Sequence, residues 1–162
     1  MQTLLPIAAK IAALLKERKE TIAVSESSAG GLVSAALVAQ PGASEFYVGG
    51  AVVYTLAARR NLLAVPDEAV KGVRSSTEAY AQIAARAIRE RMGTTWGLSE
   101  SGASGPTGNP YGDAPGHTCF AVSGPVERVM TLETGEDDRF ANMIVFSEKT
   151  LELLLAVLSP TR

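Results

Sequence analysis

A short β-prone run that ends abruptly at a polar loop is the feature that most constrains the fold of this chain. Residues 21–25 (Thr-Ile-Ala-Val-Ser) favour a strand, whereas residues 26–31 (Glu-Ser-Ser-Ala-Gly-Gly) do not. Apolar, alanine-rich sequence resumes over residues 32–39 and stops at Gln40-Pro41-Gly42, a clear helix breaker. This order predicts a strand, a tight loop and a helix, the unit from which parallel α/β sheets are built.

The rest of the chain alternates between helix and strand patterns in the same way. Apolar residues at helical spacing, alanine-rich runs and breakers predict further helices over residues 4–19, 57–63, about 75–92 and 138–158. The third of these begins with Ser75 and Glu78 in capping-box spacing. Strands are expected over residues 46–54 and 95–101, and a hairpin over 117–122 and 126–132. We therefore predict one α/β domain over residues 1–162, with a mixed, mostly parallel sheet covered on both faces.

Charge and composition exclude several classes of protein. The chain carries 15 basic and 17 acidic residues, a net charge of −2, with no basic stripe that would indicate a nucleic-acid partner. Its single cysteine allows no internal disulfide. The first residues lack the pattern of a secretion signal, and no apolar run reaches the roughly 18 residues that span a bilayer. These observations predict a cytoplasmic protein that does not enter the membrane.

Two serine- and glycine-rich loops are the candidate ligand site. Residues 25–31 follow the first predicted strand, and residues 101–109 follow the third. Open α/β sheets bind ligands beyond the carboxyl ends of their strands, so both loops are expected to line one cleft. Free N–H groups at a helix start suit an anion such as phosphate. The alternative is that each loop is only a helix cap and a turn.

Known catalytic signatures are missing from the sequence. It contains no P-loop, no Gly-x-Gly-x-x-Gly after the first strand and no Gly-x-Ser-x-Gly elbow. The one histidine, His117, is interpreted as a surface or strand-end residue, and with Cys119 it lacks nearby partners for a metal site. No lysine lies in either loop. The residues alone therefore predict a polar cleft without metal, and they leave the base that would activate a serine open.

Seven segments in the same order and spacing resemble the carboxyl-terminal domain of the CinA family. They are Val24-Ser25-Glu26-Ser27-Ser28-Ala29-Gly30-Gly31, similar to Ala-Glu-Ser-Cys-Thr-Gly-Gly; Pro41-Gly42-Ala43-Ser44 with Phe46, similar to Gly-Ser-Ser-x-x-Phe; Gly50-Ala51-Val52-Val53-Tyr54-Thr55, similar to Gly-x-Val-x-Tyr-Ser; Leu62-Leu63-Ala64-Val65, similar to Leu-Leu-Gly-Val; Ser101-Gly102-Ala103-Ser104-Gly105-Pro106, similar to Thr-Gly-Ile-Ala-Gly-Pro; Pro115-Gly116-His117-Thr118, similar to Pro-Val-Gly-Thr; and Gly135 with Asp137-Asp138-Arg139, similar to Gly-Asp-Arg. Each segment alone is weak, but seven in register are specific.

The resemblance implies a fold and an activity. It implies a three-layer α/β/α sandwich with a five-stranded mixed sheet. It also implies a nicotinamide-nucleotide amidohydrolase, which converts nicotinamide mononucleotide to nicotinate mononucleotide and ammonia without a cofactor. Family members commonly self-associate, so a homo-oligomer, a dimer or larger, is expected.

The matching motifs carry roles onto residues of this chain. Ser27 would be the nucleophile, with Tyr54 facing the amide and Arg139 holding the substrate phosphate through its bidentate fork. Among the other substrate-binding positions, Glu26 would orient the loop, the two glycines would offer backbone donors and the later serines would wall the opposite side. These positions are Glu26, Ser28, Gly30, Gly31, Ser101, Ser104 and Gly105.

One departure from the family pattern bears on the mechanism. The family has lysine five residues after the tyrosine, where this chain has Arg59. Arginine stays protonated and is no general base, although Arg59 could stabilise an oxyanion or lower the pKa of Tyr54. The alternative function is therefore a nucleotide-binding relative that has lost hydrolysis. A third reading, a nucleic-acid or protein interaction module, rests on fold analogy and is disfavoured by the net charge.

Overall fold

A single five-stranded sheet forms the centre of the structure, a computed structural model that describes residues 1–159. Its strands are β1 (Ile22–Glu26), β2 (Tyr47–Val52), β3 (Trp96–Ala103), β4 (His117–Ser123) and β5 (Arg128–Glu133), in the spatial order β2-β1-β3-β4-β5. Strand β1 is parallel to β2 and β3, whereas β3–β4 and β4–β5 are antiparallel.

The mixed five-stranded sheet confirms the predicted fold class, but the expectation of a mostly parallel sheet is wrong. Two of the four strand pairs are parallel and two are antiparallel. The reason is the connection after β3, which contains no helix over residues 104–116. Parallel neighbours need a long crossover, usually a helix, so β4 returns beside β3 in the opposite direction.

Helices cover both faces of this sheet. They are α1 (Leu4–Arg18), α2 (Leu32–Val38), α3 (Leu56–Leu62), α4 (Glu78–Met92) and α5 (Arg139–Leu158), with short 3-10 turns at Ala43–Glu45 and Asp67–Val70. Helices α1, α2 and α5 pack together on one face, and α4 packs on β1, β3 and β4. The result is the predicted three-layer α/β/α sandwich. The prediction of one domain over residues 1–162 stays a prediction, and its last three residues lie outside the described part.

The alternation of side chains along β1 explains why the sheet lies between two helical layers. Ile22 and Val24 point into the cluster formed with α1, α2 and α5, and Ala23 points into the cluster formed with α4. Small residues bring α4 close to the sheet. A Cβ added at Gly97 would lie 2.0 Å from the carbonyl oxygen of Ala85, so that position tolerates no side chain.

The start of α4 differs from the prediction. The capping box was expected at Ser75, but the helix begins at Glu78 and its N-cap is Thr77, whose hydroxyl accepts a hydrogen bond from the Tyr80 N–H at 3.2 Å. Ser76 has a left-handed backbone (φ 59°), which delays the helix. The other boundaries differ from the sequence prediction by one or two residues. Within residues 1–159, no helix is both long enough and apolar enough to cross a membrane.

Candidate active site

A polar cleft lies where β1, β2 and β3 reach their carboxyl ends. It consists of two adjoining cavities that share Tyr54, Gly102 and Asn109 as lining residues. The Ser27 cavity, of about 330 Å³, is bordered by Ser27 and by residues from the start of α4. The Ser28 cavity, of about 250 Å³, is bordered by Ser28 and by residues 103–110. The two predicted loops therefore do meet at one cleft, because parallel strands end at the same edge of the sheet.

The Glu26 side chain caps the N-terminus of α2, whose N-cap residue is Gly31. Its buried carboxylate accepts hydrogen bonds from the backbone N–H groups of Gly31, Val33 and Ser34, each at 2.9 Å, and from the Ser34 hydroxyl at 2.5 Å. A helix N-terminus attracts an anion because its first N–H groups have no partner within the helix. Here the anion is the protein's own carboxylate, so the expectation of free N–H groups for a substrate phosphate at this helix is wrong.

The two glycines of the loop shape its backbone. Gly30 and Gly31 have φ angles of 68° and 99°, a left-handed conformation that side chains disfavour. Both were predicted to offer backbone donors to a substrate. The Gly30 N–H donates to the Ser27 carbonyl oxygen at 3.1 Å, and the Gly31 N–H is bound by Glu26. Neither donor is thus free in this structure.

Glu100 is a second buried carboxylate, directly beneath the serines of the loop. It accepts hydrogen bonds from the backbone N–H groups of Ser27 and Ala29, at 3.1 and 2.7 Å, and from the hydroxyls of Ser28 and Thr118. Burial raises the pKa of Glu100, although these hydrogen bonds oppose the shift. Glu100 therefore fixes the loop from below.

Sequence reasoning missed Glu100, although a signal for it exists. Trp96, Leu98 and Glu100 alternate along β3, so all three face the same side of the sheet. The first two belong to the apolar core. A carboxylate in register with core residues must find partners inside the protein, which marks it as a candidate site residue.

Arg139 and Tyr54 join opposite sides of the Ser28 cavity. Arg139, the first residue of α5, donates to the Tyr54 phenol oxygen at 2.7 Å and to the Gly105 carbonyl oxygen at 2.5 Å. Both side chains stay exposed at the cleft. Asn142, one turn further along α5, donates to the Ser104 carbonyl oxygen at 2.9 Å and secures the same loop. The geometry thus brings a phenol and a guanidinium together beside Ser28.

Ser101 and Ser104 line different cavities of the cleft. Ser101 borders the Ser27 cavity, and its hydroxyl accepts from the Ser76 N–H at 3.2 Å. Ser104 and Gly105 border the Ser28 cavity, where a Cβ at Gly105 would lie 2.5 Å from the Asp137 carbonyl oxygen. The predicted site residues Ser27, Ser28, Tyr54 and Arg139 therefore share the cleft with them, and their chemical roles stay predictions.

Arg59 lies apart from these residues. It is 5% exposed and forms an ion pair with Asp67, which also binds Arg60 at 2.7 Å. Arg59 borders neither the Ser27 nor the Ser28 cavity but an adjacent one of about 300 Å³. Its guanidinium is thus occupied by a carboxylate, and a direct action on Tyr54 has no contact to support it.

His117 is a buried strand-end residue that supports the cleft wall. Its Nε2 lies 2.8 Å from the Ser76 carbonyl oxygen, and its Nδ1 contacts the Glu133 carboxylate. Burial alone would lower its pKa, but the hydrogen bonds to Glu133 and Ser76 raise it overall. With an acceptor at each ring nitrogen, the doubly protonated imidazolium is the form that the surroundings favour.

We expect the contribution of His117 to stability to depend on pH. A pKa raised above the unfolded value of about 6.5 stabilises the fold below that pH, and this stabilisation is lost as pH rises through the folded pKa. The variant His117→Gln should therefore lose more free energy of unfolding at about pH 6 than at about pH 9. Urea unfolding followed by circular dichroism measures both values. In a Glu133→Gln background, the loss caused by His117→Gln should differ less between the two pH values. An equal loss at both pH values would contradict the imidazolium assignment.

Within residues 1–159, no group of three or more histidine, cysteine, aspartate and glutamate side chains is arranged to hold a metal ion. The only cysteine, Cys119, is buried and has no disulfide partner. The polar side chains that border the two cavities are serine and threonine hydroxyls, the phenols of Tyr54, Tyr80 and Tyr111, the Asn109 amide and the Arg139 guanidinium, and the Glu100 carboxylate lies behind Ser28.

Comparison with known proteins agrees with this architecture. The sequence model of the CinA C-terminal domain matches residues 4–158 of the chain. The chain belongs to the CinA C-terminal domain family. A CinA-like protein of Synechocystis sp. is 41% identical over 102 residues, 63% of this chain and 24% of that protein. A CinA-like protein of Myxococcus xanthus is 35% identical over 152 residues, 91% of this chain and 35% of that protein.

The relatives differ in length from this CinA C-terminal domain. The chain spans about a third or less of the two curated CinA-like proteins. In contrast, it covers 97% of a solved competence-damaged protein (CinA) superfamily member from Klebsiella pneumoniae, with 96% of this chain aligned, a TM-score of 0.89 and 26% identity. Family and fold are thus shown, and the activity is a separate question.

Proposed function

We propose that this CinA C-terminal domain is an amidohydrolase that converts nicotinamide mononucleotide to nicotinate mononucleotide and ammonia with a serine of the 27–28 loop. The observation that carries the proposal is one cleft holding serine hydroxyls, the Tyr54 phenol and the Arg139 guanidinium. Family membership supports the reaction class. No cofactor enters the proposed reaction.

The groups of the cleft match the parts of the substrate. Arg139 carries a planar fork of N–H donors suited to the phosphate, and it borders the Ser28 cavity. The Tyr54 phenol oxygen already accepts a hydrogen bond from Arg139, so its own O–H is free to donate. A phenol that donates to the amide carbonyl oxygen stabilises the negative charge that forms there when a hydroxyl attacks.

A second candidate is a nucleotide-binding protein without turnover. It is favoured by Arg59, which stands at the family's lysine position and is paired with Asp67, because arginine does not serve as a general base. In the described part of the chain, the linings of both cavities contain no lysine. This protein would bind the mononucleotide through Arg139 and release no ammonia.

Ammonia release from nicotinamide mononucleotide separates the two candidates. The wild-type chain should release one ammonia per nicotinate mononucleotide formed, and the double variant Ser27→Ala/Ser28→Ala should lose at least about a thousandfold in rate. Ser44→Ala is the matched control, because Ser44 is exposed in the turn after α2. Binding by calorimetry without ammonia would select the second candidate. Neither binding nor ammonia would reject both.

A further inference from the structure

We propose that Ser28 is the nucleophile of this cleft and that Glu100 is its base. The inference rests on the proposed function, and it moves the reacting hydroxyl one residue along from Ser27, the residue that the family motif favours. It is carried by a direct contact between the Ser28 hydroxyl and the Glu100 carboxylate. The same contact names a proton acceptor in a cleft where the sequence left the base open.

The contact has the geometry that nucleophilic catalysis requires. The Ser28 hydroxyl donates to Glu100 inside the protein, with Ser28 4% and Glu100 2% exposed. A serine becomes reactive when a base within hydrogen-bond reach takes its proton. Ser28 also borders the cavity that holds Arg139, whereas Ser27 borders the other cavity. A mononucleotide whose phosphate binds Arg139 thus has Ser28 in the same cavity.

The alternatives to Glu100 are placed elsewhere. Among residues 1–159, those bordering either cavity include no lysine, histidine, aspartate or glutamate. Arg59 pairs with Asp67, and His117 faces Ser76 and Glu133. Glu100 lies directly behind a lining serine. It therefore supplies the acceptor that the replacement of lysine by Arg59 removes.

The surroundings of Glu100 suit proton exchange. Burial raises the pKa of Glu100, and its hydrogen bonds to Ser28, Ala29, Ser27 and Thr118 oppose the shift without cancelling it. A base works best when its pKa lies near the working pH, because it then accepts a proton and returns it in the same cycle. An ordinary carboxylate, with a pKa of about 4.3, is a weak base for this step.

The steps balance in atoms and protons. The Ser28 oxygen bonds to the amide carbon while its proton moves to Glu100, and Tyr54 donates to the carbonyl oxygen as it becomes negative. Glu100 then gives the proton to the amide nitrogen, and the C–N bond breaks. Ammonia departs, and the acyl group remains on Ser28 as an ester. Water attacks this ester, and one of its protons passes to Glu100 and then to the Ser28 oxygen. The second proton stays on the new carboxyl group and is lost to the solvent as nicotinate mononucleotide leaves.

The variant Glu100→Gln distinguishes a role of Glu100 as a base from a role that is only structural. The glutamine carbonyl oxygen can accept from the Ser27 and Ala29 N–H groups, and its amide can donate to the hydroxyls of Ser28 and Thr118. All four contacts can therefore persist while proton acceptance is lost. We expect kcat for ammonia release to fall by at least about 100-fold, with the melting temperature (Tm) nearly kept. A Tm that is kept together with full activity would overturn the assignment of Glu100 as the base.

Covalent labelling identifies the reactive serine independently of the substrate. Phenylmethylsulfonyl fluoride forms a sulfonyl ester on an activated serine with loss of fluoride, and peptide mass spectrometry locates the ester. We expect the label on Ser28, a labelling rate at least about tenfold lower in Glu100→Gln, and no label in Ser28→Ala. Ser44→Ala, in the exposed turn after α2, should label like the wild type.

The outcomes of labelling and ammonia release distinguish the two proposals. A label on Ser28 without ammonia from nicotinamide mononucleotide retains the Ser28–Glu100 pair and rejects the substrate. Ammonia together with a label on Ser27 retains the substrate and rejects the pair, as does a label on neither serine. A decrease of about a thousandfold in ammonia release in Ser28→Ala, larger than in Ser27→Ala, agrees with both proposals.

Discussion

Replacing Glu26 by alanine should lower the free energy of unfolding by about 4 kcal/mol or more, since each buried donor left unpaired costs about 1–3 kcal/mol. The carboxylate satisfies three backbone N–H groups at the start of α2 and the Ser34 hydroxyl. It is 1% exposed, the Val33 N–H that it accepts from is buried, and the other three donors are part-buried. The loss is large against the total stability of a domain, typically about 5–15 kcal/mol.

Urea unfolding of Glu26→Ala and Glu26→Gln, followed by circular dichroism, measures this effect. Glutamine retains one acceptor oxygen but turns an N–H toward the donors, so its loss should be smaller than that of alanine and still clear. Glu17→Gln is the matched control, because Glu17 is exposed on α1. A change below about 1 kcal/mol in Glu26→Ala would show that the carboxylate is not the cap of α2.

Replacing Arg139 by glutamine should lower kcat/KM for nicotinamide mononucleotide by about 100-fold, because hydrogen bonds to a charged group contribute about 1.5–3 kcal/mol and 1.4 kcal/mol is tenfold. The same change should have little effect on nicotinamide riboside, which lacks the phosphate. The physical reason is that the guanidinium is exposed at the cavity and is oriented by Gly105 and Tyr54. The variant should therefore no longer prefer the mononucleotide.

Steady-state ammonia assays with both substrates test the role of Arg139. Arg128→Gln is the control of equal charge change, because Arg128 is exposed on the edge strand β5. An equal fall with the mononucleotide and the riboside would mean that Arg139 only positions Tyr54 and the Gly105 loop. A fall with the mononucleotide alone would assign the phosphate to Arg139.

The strand–loop–helix unit of residues 21–39 is predictable from sequence because its signals are local. A β-prone run, two glycines with left-handed backbones and a breaker at Pro41-Gly42 determine it without reference to the rest of the chain. The family motifs then place Tyr54 and Arg139 at the same cleft. The fraction of parallel pairs is less predictable, because it depends on whether the chain after β3 forms a crossover helix.

The electrostatics of the loop are not predictable from local sequence. A helix start after a serine-rich loop indicates an anion site, but the pattern does not say that Glu26 itself occupies it. Glu100 is 73 residues away from Ser27 in sequence, and the parallel pairing of β1 with β3 brings the two together. The contact between Ser27 and Glu100 depends on the strand order of the sheet. The only local signal for it is that Glu100 occupies a position of β3 that faces the same side as core residues.

Two buried carboxylates act on the loop of residues 27–31, and Arg139 acts on the wall opposite it. Glu26 holds the helical end of the loop, Glu100 holds the serines from below, and Arg139 connects the opposite wall to Tyr54. A loop held on several sides keeps its hydroxyls in place before substrate binds, which is the condition for stabilising a transition state without reorganisation. Hydrogen bonds to Glu100 therefore hold both serines, where the proposed bond is formed.

A crystal structure of the chain with nicotinate mononucleotide, the proposed product, tests the central claim most directly. The account predicts the product phosphate within hydrogen-bond distance of the Arg139 guanidinium. It also predicts the product carboxyl carbon beside the Ser28 oxygen, with the Tyr54 hydroxyl on one carboxyl oxygen. A product bound elsewhere, or bound in the cleft with its phosphate away from Arg139 and its carboxylate turned from the serines, would contradict it.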